Sequence, residues 1–428
     1  MPRMFLSSLV LLGFGLALIG QEERKATRGN GPDNIGQATF FVHRLGSDHA
    51  EGITALDMNG DGRIDLLSGA YWYENPGPEG GEWKRHQYRT VGIHEEFVSD
   101  GGEWAIDVNH DGAPDIVTTG WITNGIWWYE NPKRADVLWQ RHLIADSYDT
   151  EGGWLADING DGKPDLVVAH YKRTGILWVD FSGPQLRVHH AGGAEQDGHG
   201  VGVADIDGDG KPDILTPYGW LKNLDAEHDR WEWHADWKLG EAGFPILGYD
   251  VNQDGKMDII FGRGHSYGLY WLEQRGEGGS RTWIQHAIDE SFSQAHALAL
   301  ADIDGDGELE LLTGKRYRGH SGNDPGSYDP LVVYYYKINR KNGQFSRYPL
   351  SVNGTAGVGT QFVIADLDGD GDIDIATAGK TGVHFFENLR IDRVKKEQRE
   401  KEVLLERNWP FDSEGPKVEQ QDAPPPKN

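Results

Sequence analysis

The chain has 428 residues, a formal charge of −27, 59 glycines, 16 tryptophans, 16 tyrosines and no cysteine. The acidic balance excludes a nucleic-acid groove or an anionic membrane as partner, because both need basic surface. The missing cysteine excludes disulfides, thiol catalysis, iron–sulfur clusters and a lipoprotein anchor, and the wealth of glycine and aromatic residues predicts many short strands joined by tight turns.

Arg3 precedes an almost unbroken apolar run, Met4 to Gly20, and a charged stretch follows at 21–25. This order predicts a secretory signal peptide over 1–20, hence a secreted or periplasmic protein. The run is also close to the length of an uncleaved membrane anchor. Residues 21–38 are polar and predict a flexible linker.

From 39 to 389 the chain repeats itself. The motif D-x-[DN]-x-D-G-x-x-[DE] occurs seven times, its first aspartates spaced 50, 50, 48, 45, 52 and 64 residues apart. Around each copy the order is the same. An apolar run precedes it (Ile53-Thr-Ala-Leu), another follows (Ile64-Asp-Leu-Leu), then an aromatic run (Tyr71-Trp-Tyr-Glu-Asn-Pro) and an alternating segment ending near a histidine (Trp83-Lys-Arg-His). Four short strands per repeat predict a propeller blade, so the expected fold is an all-β, seven-bladed β-propeller. The last copy stops after its third strand, and Thr39 to Leu45 has the fourth-strand pattern. That N-terminal strand is expected to complete blade seven and close the ring, which removes exposed sheet edges. Beyond 390 the chain is charged, with a helical stretch expected from Arg393 to Arg407, and then disordered to 428. A closed ring needs no second copy, so a monomer is expected.

The repeated loops offer oxygen donors at positions 1, 3, 5 and 9, with a main-chain carbonyl at position 7. In order along the chain these are Asp57, Asn59, Asp61, Arg63 and Asp65; Asp107, Asn109, Asp111, Ala113 and Asp115; Asp157, Asn159, Asp161, Lys163 and Asp165; Asp205, Asp207, Asp209, Lys211 and Asp213; Asp250, Asn252, Asp254, Lys256 and Asp258; Asp302, Asp304, Asp306, Glu308 and Glu310; Asp366, Asp368, Asp370, Asp372 and Asp374. Calcium takes six to eight such oxygens, and the glycine at position 6 permits the sharp turn. Up to seven structural Ca2+ ions are therefore expected. The 24 side-chain carboxylates at positions 1, 3, 5 and 9 would otherwise repel one another. The alternative is a set of Asp-rich turns without metal.

These loops with their flanking strands resemble the FG-GAP/VCBS repeat family, the propeller type also found in integrin α subunits. The resemblance covers about 39–389 and implies the fold and calcium. A narrower similarity, carried by Gly69-Ala-Tyr-Trp-Tyr-Glu-Asn-Pro76, His199-Gly-Val-Gly-Val-Ala-Asp205 and the segment Gly314 to Gly326, is to the propeller domain of aldos-2-ulose dehydratase. It implies dehydration of a keto-sugar by β-elimination.

The face opposite the calcium loops is built by non-repetitive loops, and chemistry is expected there. Six residues before each first aspartate lies one equivalent position near the mouth of the innermost strand: Glu51, Gly101, Glu151, His199, Phe244, His296 and Thr360. Two histidines and two glutamates in one ring are not core filler. β-Elimination beside a ketone needs a base, a cation for the enolate and an acid for the leaving oxygen. His199 or His296 suits the base; Arg263, Lys315 or Arg316 the cation; Tyr71, Tyr218 or Tyr267 the acid. Glu51, Glu151, His49, His94, Tyr218, Trp220, His265, Tyr267 and His320 are candidates for holding substrate. A transition metal held by His199, His296 and the glutamates is a further option. The recurring fourth-strand histidines, His86, His142, His234 and His286, are read as structural. A non-catalytic propeller that binds glycan or protein on this face is the alternative function.

Overall fold

The computed structural model describes residues 38–391, apart from 95, 96, 100, 135, 136 and 172–174. The expected signal peptide, nearly all of the linker and the tail after 391 lie outside the described residues. The described chain is a ring of seven four-stranded antiparallel sheets. Each blade runs outward in chain order, as in blade one: Thr54–Leu56, Asp65–Ser68, Tyr71–Glu74 and Lys84–Gln87. Blade seven differs. Its strands Phe362–Ala365, Asp374–Gly379 and Gly382–Asn388 are completed by the N-terminal strand Phe40–Gly46, which pairs antiparallel with the third. The ring closes as the repeat pattern requires. A small ribbon, Ile93–His94 with Phe97–Val98, stands between blades one and two and was not expected.

Burial explains the strand patterns. Second strands are apolar on both faces because blades pack against each other on both sides; all five residues of Asp115–Thr119 are buried. Outer strands alternate or face solvent. The buried apolar side chains form a cluster at each blade contact. One joins Ile53, Leu66 and Tyr73 of blade one to Val363, Ala376 and Phe385 of blade seven. Each fully buried Leu, Val or Ile stabilises by roughly 1.5–3 kcal/mol.

The recurring polar letters have structural roles. In five blades the buried position-9 carboxylate accepts two backbone amides. Asp65 Oδ2 takes the Met58 amide at 2.9 Å and Oδ1 the Asn75 amide at 2.8 Å. Asp115, Asp213, Asp258 and Asp374 do the same. Asn75 then clasps two blades, its Nδ2 donating to Ile64 O at 2.8 Å and to Leu367 O of blade seven at 2.6 Å. Asn223, Gln274 and Asn388 repeat this clasp. Fourth-strand histidines stack on third-strand aromatics (Trp72 with His86, ring centroids 4.2 Å apart) and bond the neighbouring glutamate, as in His86 to Glu74 at 2.8 Å. His142 and His286 repeat both contacts. Their environment is that of packing residues.

Candidate functional site

The seven equivalent positions line the mouth of the central channel, all of them buried. Neighbouring members are tied through their main chains. Thr360 N donates to Glu51 O at 2.9 Å, and Phe244 N to His296 O at 2.7 Å. One side of this ring gathers Glu151 from blade three, His199 from blade four and His296 from blade six. His265, from the loop between the second and third strands of blade five, joins them, with Phe244 packed between His199 and His296. Gly264 makes the approach possible: a Cβ there would stand 3.1 Å from carbons of both His199 and His296.

The hydrogen bonds decide which nitrogen faces inward. His199 Nδ1 donates to Ala242 O at 2.5 Å, which turns Nε2 inward, 2.6 Å from Glu151 Oε2, where a proton on Nε2 is donated to that carboxylate. His265 Nδ1 bonds Asp324 Oδ2 at 2.8 Å, leaving its Nε2 2.9 Å from His199 Nε2. His296 Nε2 accepts from Arg316 Nη1 at 3.0 Å and lies 3.5 Å from Glu151 Oε1. The four side chains Glu151, His199, His265 and His296 each offer a donor atom within 4.8 Å of the others, and all four are buried. Lone pairs packed this closely repel unless a cation or a proton lies among them.

Arg316 supplies part of the balance. It pairs with Glu151 and reaches Glu51 at 3.2 Å. Burial works against the Glu151 charge, but Arg316, His296 and His199 outweigh it and hold the carboxyl well below its usual range. Burial and then Arg316 drive His296 well below the ordinary imidazole value, and burial with His199 lowers His265. His199 is shifted upward: burial opposes its charge, but the contact with Glu151 prevails. A proton in this cluster therefore rests on His199. Three imidazoles and a carboxylate, with the second nitrogens of His199 and His265 oriented by a carbonyl and a carboxylate, form a donor set suited to zinc or a similar divalent transition metal.

Other predicted residues lie outside this four-residue cluster. His49 is half-buried, 4.0 Å from Glu51; burial lowers its pKa. His320 stands exposed at the rim, stacked on His265 at 4.3 Å. Tyr218 is half-buried against Gly198. Tyr267 is exposed and donates to Asp329. Lys315 does not share the channel with Arg316, because adjacent residues of an extended chain point to opposite sides. Its Nζ is buried against Ser293 Oγ at 3.1 Å, and burial lowers it to about 8. Arg263 lies over the Tyr270 ring, and Tyr71 lies under Arg85. His94 is exposed on the small ribbon. Trp220 is corrected from a substrate contact to a core residue: it is fully buried, stacked on His234, and its Nε1 donates to Asp236 at 3.0 Å. It occupies the third-strand aromatic position, which always faces the fourth-strand stack. Asp324 was missed. It lies in the loop that lengthens the sixth repeat to 64 residues, and that extra length was the available signal.

At the other end of the channel the acidic loops are ordered by their own amides. Asp57 accepts from Gly60, Asp61 and Gly62. Carboxylates converge in three copies, Asp205, Asp207 and Asp213; Asp302, Asp304 and Asp306; Asp366, Asp368 and Asp374. In some copies the outer atom of the position-3 side chain has a third-strand partner. Asn252 donates to Glu273 at 3.1 Å, whereas Asp207 and Asp304 pair with Lys222 and Lys337. The inner oxygens of Asn252 and Asp207 accept only the position-5 amide.

An FG-GAP-like repeat family model matches residues 107–168, 157–216 and 250–313. No curated protein matches the chain significantly. Three solved structures are similar in shape. One is a lectin of Agrocybe aegerita recognising non-reducing terminal N-acetylglucosamine, with 16% identity, TM-score 0.47, and 78% of this chain and 87% of that one covered. The exotype rhamnogalacturonan lyase YesX has 13% identity and TM-score 0.44, covering 81% and 72%. The V. cholerae biofilm matrix protein Bap1 has 12% identity and TM-score 0.42, covering 82% and 91%. The chain therefore carries FG-GAP-like repeats within a closed seven-bladed β-propeller.

Proposed function

We propose that this chain is a carbohydrate-active propeller whose channel-mouth cluster holds a divalent transition metal, and that it acts as a carbon–oxygen lyase or dehydratase on a keto-sugar or 3-keto-glycoside. The observation that carries this reading is the convergence of three imidazole nitrogens and Glu151 at one buried point. The repeat does not account for it, since the cluster occupies one side of the ring only. When bound, the metal would polarise the ketone oxygen as a Lewis acid.

The chain's own residues would do the rest. His199 and His265 turn their Nε2 atoms toward the cluster, which suits ligands better than bases, and His296 would join them by exchanging the Arg316 bond on its Nε2 for the metal. His49, half-buried and kept neutral by burial, would take the proton α to the ketone. Arg316 would steady the charge that develops, and Tyr218 would return a proton to the leaving oxygen. A carbon–carbon double bond forms as the carbon–oxygen bond breaks, and no oxidant is needed.

The acidic loops at the opposite face are assigned to structural calcium, and residues 1–20 to export. Donor oxygens at positions 1, 3, 5 and 9 in seven copies support the first, and the apolar leader supports the second. The competing reading is a glycan-binding propeller without turnover. The row Phe97, Trp121 and Tyr171 favours it, with centroids 6.3 and 6.1 Å apart, because such rings stack on sugars.

The test is an ultraviolet assay on 1,5-anhydrofructose and 3-keto-glycosides, run with metal analysis. Enone absorbance that disappears in His199→Ala together with bound zinc supports the lyase. A flat trace across the panel, with glycan binding retained, would replace it with the binding module.

A further inference from the structure

The loop from Arg316 to Asp329 joins the second and third strands of blade six and makes the sixth repeat the longest. It touches the cluster at two points. Arg316 pairs with Glu151 and Glu51. Eight residues later, Asp324 accepts from His265 Nδ1 through Oδ2 and from His320 Nδ1 through Oδ1, both at 2.8 Å. His320 covers His265 in a stack 4.3 Å apart, and it is the solvent side of the arrangement.

Between the two contacts the main chain is strained. Arg318, His320 and Ser321 hold φ values of 47, 47 and 56° without being glycine. Left-handed backbone is costly for such residues, and three within four positions persist only where surrounding contacts hold them. Hydrogen bonds from outside the cluster hold part of the loop. Gly319 N reaches Gln294 Oε1 at 3.3 Å, Ser327 Oγ reaches Gly319 O at 3.2 Å, and Lys380 Nζ reaches Arg318 O at 3.2 Å. Further anchors are Arg316 N to Gln294 O at 3.0 Å, Gln294 Nε2 to Ser327 Oγ at 3.0 Å, Asn323 Nδ2 to His320 O at 2.7 Å and the Tyr267 hydroxyl to Asp329, beside the side chains that enter the cluster.

We infer that Asp324 is the positioning residue that turns His265 into a metal ligand, and that this loop is a strap that the occupied site tightens through Asp324. The inference rests on the metal reading of the cluster. With Nδ1–H bonded to a carboxylate, the His265 ring is locked in one tautomer and its Nε2 becomes a stronger donor. Occupancy of the cluster thereby fixes Asp324, and Asp324 fixes the loop. Linkage runs both ways: what tightens the loop tightens metal binding by the same factor.

Two measurements on the full mature chain test this, with Zn2+ as the probe. Competition against a chromophoric chelator gives affinity and stoichiometry. Tryptic cleavage after Arg318 reports the loop. The expected result is one zinc in the cluster, affinity reduced about 10–100-fold in Asp324→Asn, and partial recovery in Asp324→Glu. Zinc should slow cleavage after Arg318 in the wild type and not in Asp324→Asn. Wild-type affinity in Asp324→Asn, or cleavage indifferent to zinc, overturns the strap while leaving the metal reading intact. Two zinc ions, falling to one in His320→Ala, also overturn it, because His265, Asp324 and His320 would then be a second ligand group. No zinc in the wild type overturns both.

Discussion

Arg316 and Glu151 form a buried ion pair that joins blade six to blade three across the mouth of the channel. Glu51 completes the arrangement from blade one. Three blades that share no side-by-side contact are tied by one guanidinium, and the metal-suited cluster sits against it.

Arg316→Met tests how much that cation contributes. The variant leaves two buried carboxylates without their partner, and breaking such a network costs about 3–5 kcal/mol. We expect a large fall in Tm in EDTA. Zinc should then raise the variant's Tm more than that of the wild type, because the ion replaces part of the missing charge. An unchanged Tm in EDTA would show that the network is not a stabilising element.

The inter-blade clasp gives a second prediction. Asn75→Ala removes both donors that join Ile64 O to Leu367 O. Leaving buried carbonyls unpaired costs about 1–3 kcal/mol. Urea unfolding should show that loss with an unchanged m-value. A change within experimental error would mean that the two blades are held by apolar packing alone.

His384 gives a pH dependence away from the acidic loops. Burial, and then Arg44, lowers it to about 4, against 6.5 for an unperturbed imidazole. The folded value lies below the unfolded one, so the unfolded chain takes up a proton first as pH falls. Stability present above pH 6.5 is lost between about 6.5 and 4, a contribution on the order of 3 kcal/mol. His384→Asn should flatten the stability profile in that window relative to the wild type. Parallel profiles would mean that the buried ring does not resist protonation.

Chelation tests the acidic loops. If they hold calcium, each site at a free concentration a hundred times its Kd adds about 2.7 kcal/mol. EGTA should therefore lower Tm well beyond the effect of one site, and added calcium should restore it. A Tm indifferent to EGTA would reduce the loops to amide-capped turns.

Much of this molecule was legible before any coordinates. The seven Asp motifs mark seven blades because each must repeat the same turn between its first two strands. The unpaired pattern at Thr39 to Leu45 announced the closing strand, since a propeller leaves no open edge. Register alone placed Glu51, Glu151, His199 and His296 in one ring, because equivalent positions of equivalent strands must meet around the axis. The paired third- and fourth-strand letters, Trp72 with His86 and Glu74, were visible as a pattern, although their stacking was not.

Tertiary structure decided the rest. His265, Arg316 and Asp324 lie in loops that share no register, so no spacing in the chain connects them to His199 or Glu151. Which of Lys315 and Arg316 enters the channel depended on the last pleat of one strand, and Trp220 is buried by its stack, which composition cannot reveal. The sequence by itself determined the ring, because a repeat imposes its geometry on every copy. The site arises where the copies differ, and only the closed ring brings those differences within reach of one another.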